Sequence, residues 1–216
     1  MKLLAASDLH GSHAVYEWLV RQACDADLMV LAGDLLGCPE GFGAIEDAQC
    51  KDADDICRIL GKAPCSVYYI MGNDDLVALD PKSDGIIPLH GRRHDVGRWN
   101  LVGYQYSLPF MGGIYEKSEE AIHDDLSQLA EVIDAQTVLV THNPAYGVQD
   151  IGVLDVHAGS QAILDVVTDK NVRAHIHGHI HENFGRLGRH FNVAAAGRHR
   201  AMMIDLETMD STILRG

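Results

Sequence analysis

The chain has 216 residues, of which 47% are apolar and 22% charged, and a formal charge of −14 at neutral pH. That length supports a substantial hydrophobic core, and that composition excludes intrinsic disorder and collagen-like structure. So acidic a surface repels a nucleic acid duplex unless bound cations or a local basic patch reverse the field, so nucleic acid is not an expected partner. An acidic protein that takes a phosphate needs positive charge gathered at the site, which divalent metals provide.

The first residues, MKLLAASDLHG, contain an apolar run that Ser7 and Asp8 interrupt before it reaches the length of a signal-peptide core. No stretch approaches the length of a membrane-spanning helix, so no membrane association is expected. The five cysteines, Cys24, Cys38, Cys50, Cys57 and Cys65, are odd in number and form no CxxC pair. They point away from a disulfide framework or a thiolate zinc site and towards reduced, mostly buried thiols in a cytoplasmic protein. No shift in composition marks a boundary, and residues 1–216 read as one domain.

In chain order, Lys2 to Ala6 forms a buried strand that runs into Ser7-Asp8-Leu9-His10-Gly11. Alternation along an extended chain turns Asp8 and His10 towards one point at the strand's carboxyl end. Ser12 is placed to cap a helix over His13 to Ala23, with Val15, Trp18, Leu19 and Gln22 at helical spacing. The unit repeats: Leu28 to Ala32 is a second apolar run ending at Gly33-Asp34, followed by a Pro/Gly-containing loop and a helical stretch from about Ala44 to Leu60. A third run, Ser66 to Met71, ends at Gly72-Asn73-Asp74-Asp75. Singly, such dipeptides are ordinary turns. Their recurrence at consecutive strand ends, where α/β proteins bind ligands, is the informative feature.

The middle of the chain is less regular. Ile86 to Leu89 and Leu101 to Gln105 read as short strands, and Tyr106 to Tyr115 as a long loop, either functional or a surface connection that buries Phe110 and Met111. Glu119 to Asp134 places Ile122, Leu126, Leu129 and Ile133 on one helical face. Thr137 to Val140 is a further strand leading into Thr141-His142-Asn143-Pro144. Ala145 to Gly159 has no clear period and contains Asp155 and His157, after which Ser160 caps a helix ending near Lys170. Val172 to His177 is a strand that opens the run AHIHGHIHE. His175 and His177 share a face, Gly178 lets the backbone turn, and His179 and His181 are spaced to approach neighbouring metal ions. Beyond it, Phe184 to Leu187, Phe191 to Ala195, Ala201 to Asp205 and Thr212 to Leu214 read as an antiparallel meander.

Taken together, Asp8-Leu9-His10, Gly33-Asp34, Gly72-Asn73, Thr141-His142 and Gly178-His179-Ile180-His181 resemble the calcineurin-like metallophosphoesterase superfamily, with its DxH, GD, GNH, H and GHxH blocks in the same order. The blocks span residues 8 to 181, and Pro144 to Gly147 and His157 to Ser160 are similar to segments of the small bacterial and archaeal phosphoesterases of that superfamily. The resemblance implies an α/β fold, with two mixed β-sheets in a four-layer α/β/β/α sandwich and two metal ions on loops at the strand ends. One ion would take Asp8, His10, Asp34 and His181, and the other Asp34, Asn73, His142 and His179, with Asp34 bridging. Carboxylate and amide oxygens mixed with imidazole suit Mn²⁺, iron or Zn²⁺ alike, with Mn²⁺ the first expectation though ligand type alone does not select it. The implied reaction is phosphoester hydrolysis by a hydroxide shared between ions ~3.5–4 Å apart, on a phosphodiester or a small phosphorylated metabolite.

The chain departs from the superfamily pattern after Asn73, where Asp74 stands in place of the usual histidine. That histidine protonates the leaving group or stabilises the transition state, so its loss favours diesters or good leaving groups. Asp74 itself and His157 are the candidate catalytic groups, with His157 preferred to His13 and His199 as proton donor. Arg198, or its neighbour Arg200, is the candidate for holding a substrate phosphate. His175 and His177 are expected to pack in the sheet and hydrogen-bond behind the ligands. Alternative readings are a phosphomonoesterase, including a phosphoprotein phosphatase, and a metal-binding interaction module without catalysis. Spacing does not specify the substrate, the native metals or the oligomeric state.

Overall fold

The computed structural model describes residues 1–37, 45–152 and 155–216. Along these residues run β1 (Lys2–Ala6), α1 (His13–Gln22), β2 (Leu28–Ala32), α2 (Ile45–Leu60), β3 (Ser66–Ile70), β4 (Ile86–Pro88), β5 (Arg93–Val96), β6 (Trp99–Tyr104) and α3 (Glu119–Leu129). They are followed by β7 (Thr137–Thr141), α4 (Gln161–Asp169), β8 (Ala174–His177), β9 (Gly185–Leu187), β10 (His190–Asn192), β11 (Arg200–Asp205) and β12 (Ser211–Arg215). Cys38, the loop ahead of the second helix and that helix's expected start at Ala44 lie outside the described residues, as does part of the segment between Ala145 and Gly159.

The strands form two six-stranded sheets, ordered β12-β11-β1-β2-β3-β4 and β5-β6-β7-β8-β10-β9. Within the first, β1 to β4 are parallel while β11 runs antiparallel to β1 and β12 to β11. In the second, β6, β7, β8 and β10 are parallel, with β5 and β9 antiparallel at the edges. Strands buried on both faces need apolar residues at every position, which is why LLAA, LMVLA and VLV carry no polar alternation. Leu3 and Ala5 of β1 pack between the sheets against Val138, Val140 and Ile176, while Leu4 and Ala6 pack outward with Val15 and Leu19 of α1 and Ile56 of α2. On the far side, Leu139 meets Ile122 and Leu126 of α3 and Ile163 of α4. The result is the four-layer α/β/β/α sandwich that the resemblance implied.

Several local expectations change. Ser12 occupies the cap position of α1, but its side chain makes no capping hydrogen bond, whereas Ser160 accepts one from the Ile163 N–H at 3.3 Å. The C-terminal strands do not form one meander. β9 and β10 are a hairpin in the second sheet, and the chain then crosses to the first sheet, where β11 and β12 flank β1. β5 is an edge strand of four polar or half-exposed residues with no apolar face for sequence reading to detect. Cys24, Cys50, Cys57 and Cys65 are free thiols, but none is buried, contrary to expectation. No helix among the described residues is long and apolar enough to cross a membrane.

Candidate metal centre

The loops after β1, β2 and β3 meet those after β7 and β8 where the carboxyl ends of the parallel strands of the two sheets converge. Four of the side-chain bearers there hold left-handed backbone: Asp8 at φ 55°, His10 at 44°, Asp34 at 51° and His179 at 71°. Each costs a non-glycine residue of order 1–2 kcal/mol, and such strain persists only where the surroundings impose it. Here the first two loops are laced together, with the Asp8 N–H on the Gly33 carbonyl at 2.9 Å, His10 on Asp34 at 3.1 Å and Gly11 on Leu35 at 3.0 Å. Asp8 and His10 therefore reach a common point through a turn rather than by strand alternation, since β1 has already ended at Ala6.

Ligand atoms of Asp8, His10 and His181 lie within 4.8 Å of one another, as do those of Asp34, His142 and His179. A third set, His10, Asp34 and Asp74, joins the two, which places Asp34 at the junction. His181 Nε2 is 3.0 Å from Asp8 Oδ1 and 3.4 Å from His10 Nε2, and His142 Nε2 is 3.3 Å from Asp34 Oδ2 and 3.0 Å from Asn73 Oδ1. His142 Nδ1 donates to the Ala32 carbonyl at 2.9 Å, fixing the ring so that Nε2 faces the carboxylate. This donor set, carboxylate, amide and imidazole without thiolate, fits a divalent transition metal.

The motif glycines make this convergence possible. A Cβ on Gly72 would lie 2.2 Å from Asp34 Oδ1, and one on Gly178 would lie 2.2 Å from Ser7 Oγ and 2.3 Å from Asp8 Oδ2. In place of side chains, backbone meets carboxylate: His179 N–H donates to Asp8 at 3.1 and 3.2 Å, and Asp74 N–H to Asp34 at 2.9 Å. Burial acts to raise the Asp8 carboxyl, but His181, the charge of His142 and the Ser7 hydroxyl hold it well below the usual carboxylate range. Burial likewise opposes charge on His142, yet Asp34 and Asp8 bring its imidazole up to about 10. His179 is depressed to about 4, by burial first and then by His142.

Several supporting residues had no signal in the sequence. The buried Asp75 carboxylate accepts the N–H groups of Leu35, Leu36 and Gly72 at 2.9, 2.8 and 2.8 Å, clamping the Asp34 loop to the Asn73 loop. Its acidic character beside a turn looked no different from that of Asp74. Gln49, buried on α2, donates to the Asp74 carbonyl at 2.9 Å and accepts from Leu76 N–H at 2.6 Å. Arg200, the alternative candidate for holding a phosphate, instead donates Nη2 to the His181 carbonyl at 3.0 Å and to the Ala194 carbonyl while covering the Phe184 ring.

Of the other candidates, Asp74 sits inside the site, its Oδ2 3.7 Å from His10 Nδ1. His157 joins none of the ligand sets: its Nδ1 is bound at 3.0 Å to the buried Asp150 carboxylate, its ring rests on Tyr146, and 45% of its side chain is exposed. Arg198 is exposed and outside the three ligand sets. His13 is paired with Asp52 at 2.6 Å and His199 packs edge-on against Trp18, so both have structural partners. His175 and His177 share one face, stacked at 4.9 Å. His175 bonds Thr141 and His190 at 2.8 and 3.0 Å, whereas neither ring nitrogen of His177 has a partner, so the expected hydrogen bonding holds only for His175. Phe110 and Met111 are 68% and 75% exposed rather than buried, and the Phe110 ring stands edge-on to His179 at 5.9 Å.

Two mixed sheets carry adjoining carboxylate and imidazole sets on their strand ends, an arrangement that could hold divalent metal. The chain belongs to the calcineurin-like phosphoesterase family, whose model matches residues 1–183. No curated protein matches the sequence. Among solved structures, one chain superposes with a TM-score of 0.82 at 15% identity, covering 99% of this chain and 98% of that one. The protein TT1561 of Thermus thermophilus gives a TM-score of 0.75 at 17% identity, with coverage of 99% and 98%. A dimetal phosphatase from Danio rerio gives 0.67 at 13% identity, with coverage of 100% and 98%. Identities this low speak for the fold alone.

Proposed function

We propose that the protein is a dinuclear phosphoesterase with a preference for phosphodiesters or small phosphorylated metabolites bearing good leaving groups. The observation that carries this is the junction position of Asp34, whose carboxylate belongs to one ligand set with His142 and His179 and to another with His10 and Asp74. The reading assigns Asp8, His10, Asp34 and His181 to one ion and Asp34, Asn73, His142 and His179 to the other, with Mn²⁺ ahead of iron or Zn²⁺. The Danio rerio dimetal phosphatase, which shares the fold, supports the count of two. Divalent ions so held would supply charge neutralisation at the phosphoryl oxygens and an activated water at neutral pH.

The chain's own groups do the rest. Asp74 faces His10, its Oδ2 3.7 Å from Nδ1, and on this reading closes onto that ring nitrogen to orient it when a metal is bound. His157, anchored by Asp150, keeps Nε2 free to protonate a departing alkoxide. Exposed Arg198 takes a substrate phosphate oxygen. With Asp74 where the family has histidine, leaving-group protonation within the centre itself is weakened, which is the basis for the diester preference. Four free cysteines support a reducing cytoplasm. Because β11 and β12 complete the sheet begun by β1, residues 1–216 are treated as one domain.

The test is hydrolysis of an activated aryl phosphodiester and its matching monoester by metal-stripped protein, with Mn²⁺ restored and Asp34→Asn as control. Mn²⁺-dependent turnover of the diester above the monoester, lost in Asp34→Asn, is the expected result. A monoester preference would replace the diester reading, and metal binding without turnover of either ester would replace catalysis by a binding role.

A further inference from the structure

The opposite end of the second sheet has a pocket of different character. Its volume is about 400 Å³, and it is lined by Arg173, Arg186 and Arg189 with Ala135, Asn171 and Met209. Ala135 precedes β7 and Arg173 precedes β8, whereas the candidate metal ligands follow those strands. From Ala135 to His142 the chain advances roughly 20 Å, so the two sites are separate.

The chemistry of this pocket is set by an imbalance of charge. In a chain of net charge −14, the guanidinium groups of Arg58, Arg93 and Arg98 each lie against a carboxylate. Among the described residues, Arg173, Arg186 and Arg189 have no carboxylate partner within 4.0 Å, and no acidic residue lines the pocket. Acids adjoin the lining residues along the chain, Asp134 before Ala135 and Asp210 after Met209, but neither lines the pocket, and Asp134 is paired with Arg93. Glu207 gives Arg173 only its backbone carbonyl, and its carboxylate is engaged by Arg98 and Trp99.

The three guanidinium groups are nevertheless held in place. Arg173 donates through Nε to the Leu206 carbonyl at 2.8 Å and through Nη2 to that of Glu207 at 2.7 Å. Arg189 uses Nη1 alone, on Asn171 Oδ1 at 2.7 Å and the Val172 carbonyl at 2.8 Å. Arg186 uses Nε on the Gly188 carbonyl at 2.7 Å, with its plane over Phe191 at 5.3 Å. Each is oriented by neutral acceptors and keeps N–H donors in reserve. Three arginines line one pocket with no acid in its lining, and an oxyanion accepting the donors they keep free would offset their like charge.

We propose that this pocket is a second ligand site, independent of the metal centre, for a small molecule carrying a diphosphate or similarly adjacent phosphate groups. A single phosphate satisfies one or two guanidinium forks; two linked phosphates match three. The site stands on its own geometry and does not depend on the enzymatic reading.

The probe is inorganic pyrophosphate, titrated calorimetrically into full-length Asp34→Asn protein treated with EDTA, at about 0.15 M salt to screen weak surface attraction. Saturable binding is expected, weakened at least ~10-fold in an added Arg186→Gln/Arg189→Gln pair and at least ~10-fold weaker for sulfate. Circular dichroism and thermal melting show whether the pair is folded, and Arg186→Gln alone, at an exposed position, gives a weaker version of the same loss. Absence of saturable binding, binding that survives the arginine substitutions in folded protein, or citrate binding more tightly than pyrophosphate would each overturn the assignment.

Discussion

His10 and Asp74 face each other across the candidate metal centre, Nδ1 to Oδ2, at 3.7 Å. The carboxylate thus stands behind an imidazole whose Nε2 is directed at His181. If Asp74 orients His10, Asp74→Asn keeps the fold and weakens metal affinity by about 10-fold or more, the usual scale for losing a carboxylate behind a metal-binding histidine. Asp74→His restores a proton donor, and kcat on a monoester with a poor leaving group should rise ~10-fold or more while the aryl diester changes little. A metal titration with paired kinetics on the two esters checks both.

Asp75 makes a different contribution although it is the next residue. Its carboxylate serves three backbone N–H groups, and burial followed by the charge of Asp34 pushes it up to about 7. Asp75→Asn keeps the shape but turns an amide NH₂ towards donors, leaving N–H groups unpaired. The expected loss is about 2–3 kcal/mol, read from urea unfolding of the metal-free protein. The same stability in mutant and wild type would remove the clamp from the account.

Gly178→Ala tests the packing of the last loop on Asp8. The added methyl would meet the side chains of Ser7, at 2.2 Å from Oγ and 2.9 Å from Cβ, and of Asp8, at 2.3 Å from Oδ2. Because Asp8 is a candidate ligand and cannot withdraw without leaving the site, a loss of about 2 kcal/mol or more is expected together with weakened Mn²⁺ binding. Melting temperature and metal titration on one preparation report the two effects separately.

Acid should unfold the protein partly through the histidines behind the centre. Burial, then Arg189, depresses His190 from 6.5 to about 4, and burial also lowers His175, its hydrogen-bond partner. Between those two values the unfolded chain binds the His190 proton and the folded chain does not. Stability that is fully present above pH 6.5 is therefore lost as the pH falls towards 4. This group accounts for about 2–3 kcal/mol of the fall. His190→Asn, which can still hydrogen-bond His175 but takes up no proton, should flatten the decline between about pH 7.5 and about pH 4.5 by that amount. An unchanged slope in denaturant titrations would show that other groups govern it.

The sequence made the candidate ligands readable because each follows an apolar strand within a few residues, so local pattern and spatial convergence coincide. Asp34 and His142 are far apart in the chain but occupy equivalent strand-end positions. What escaped the reading depends on non-local partners. Asp75 acquires its role only when the loops after β2 and β3 lie side by side, and Gln49 only when α2 packs against the loop after β3. β5 lacked an apolar face, and the division of the C-terminal strands between two sheets is decided by pairing across the molecule. Phe110 admits two readings from sequence because apolar character alone does not distinguish a buried side chain from one standing at the rim of a site, and the structure selects the exposed one.

The register of β1 with β11 pairs Lys2 with Asp205 and Ala5 with Met202. β1 delivers Asp8 and His10, yet one of its two neighbours is made from residues beyond the last candidate ligand, His181. A fragment ending soon after His181 would contain every candidate metal-binding group and still turn β1 from an interior strand into an unpaired edge of the sheet. Completeness of the ligand set and completeness of the scaffold are thus reached at different points along the chain. The strand that carries the first ligands is secured on one side by a neighbour about 25 residues away and on the other by one about 200 residues away, whose pairing carries the greater loop-closure cost.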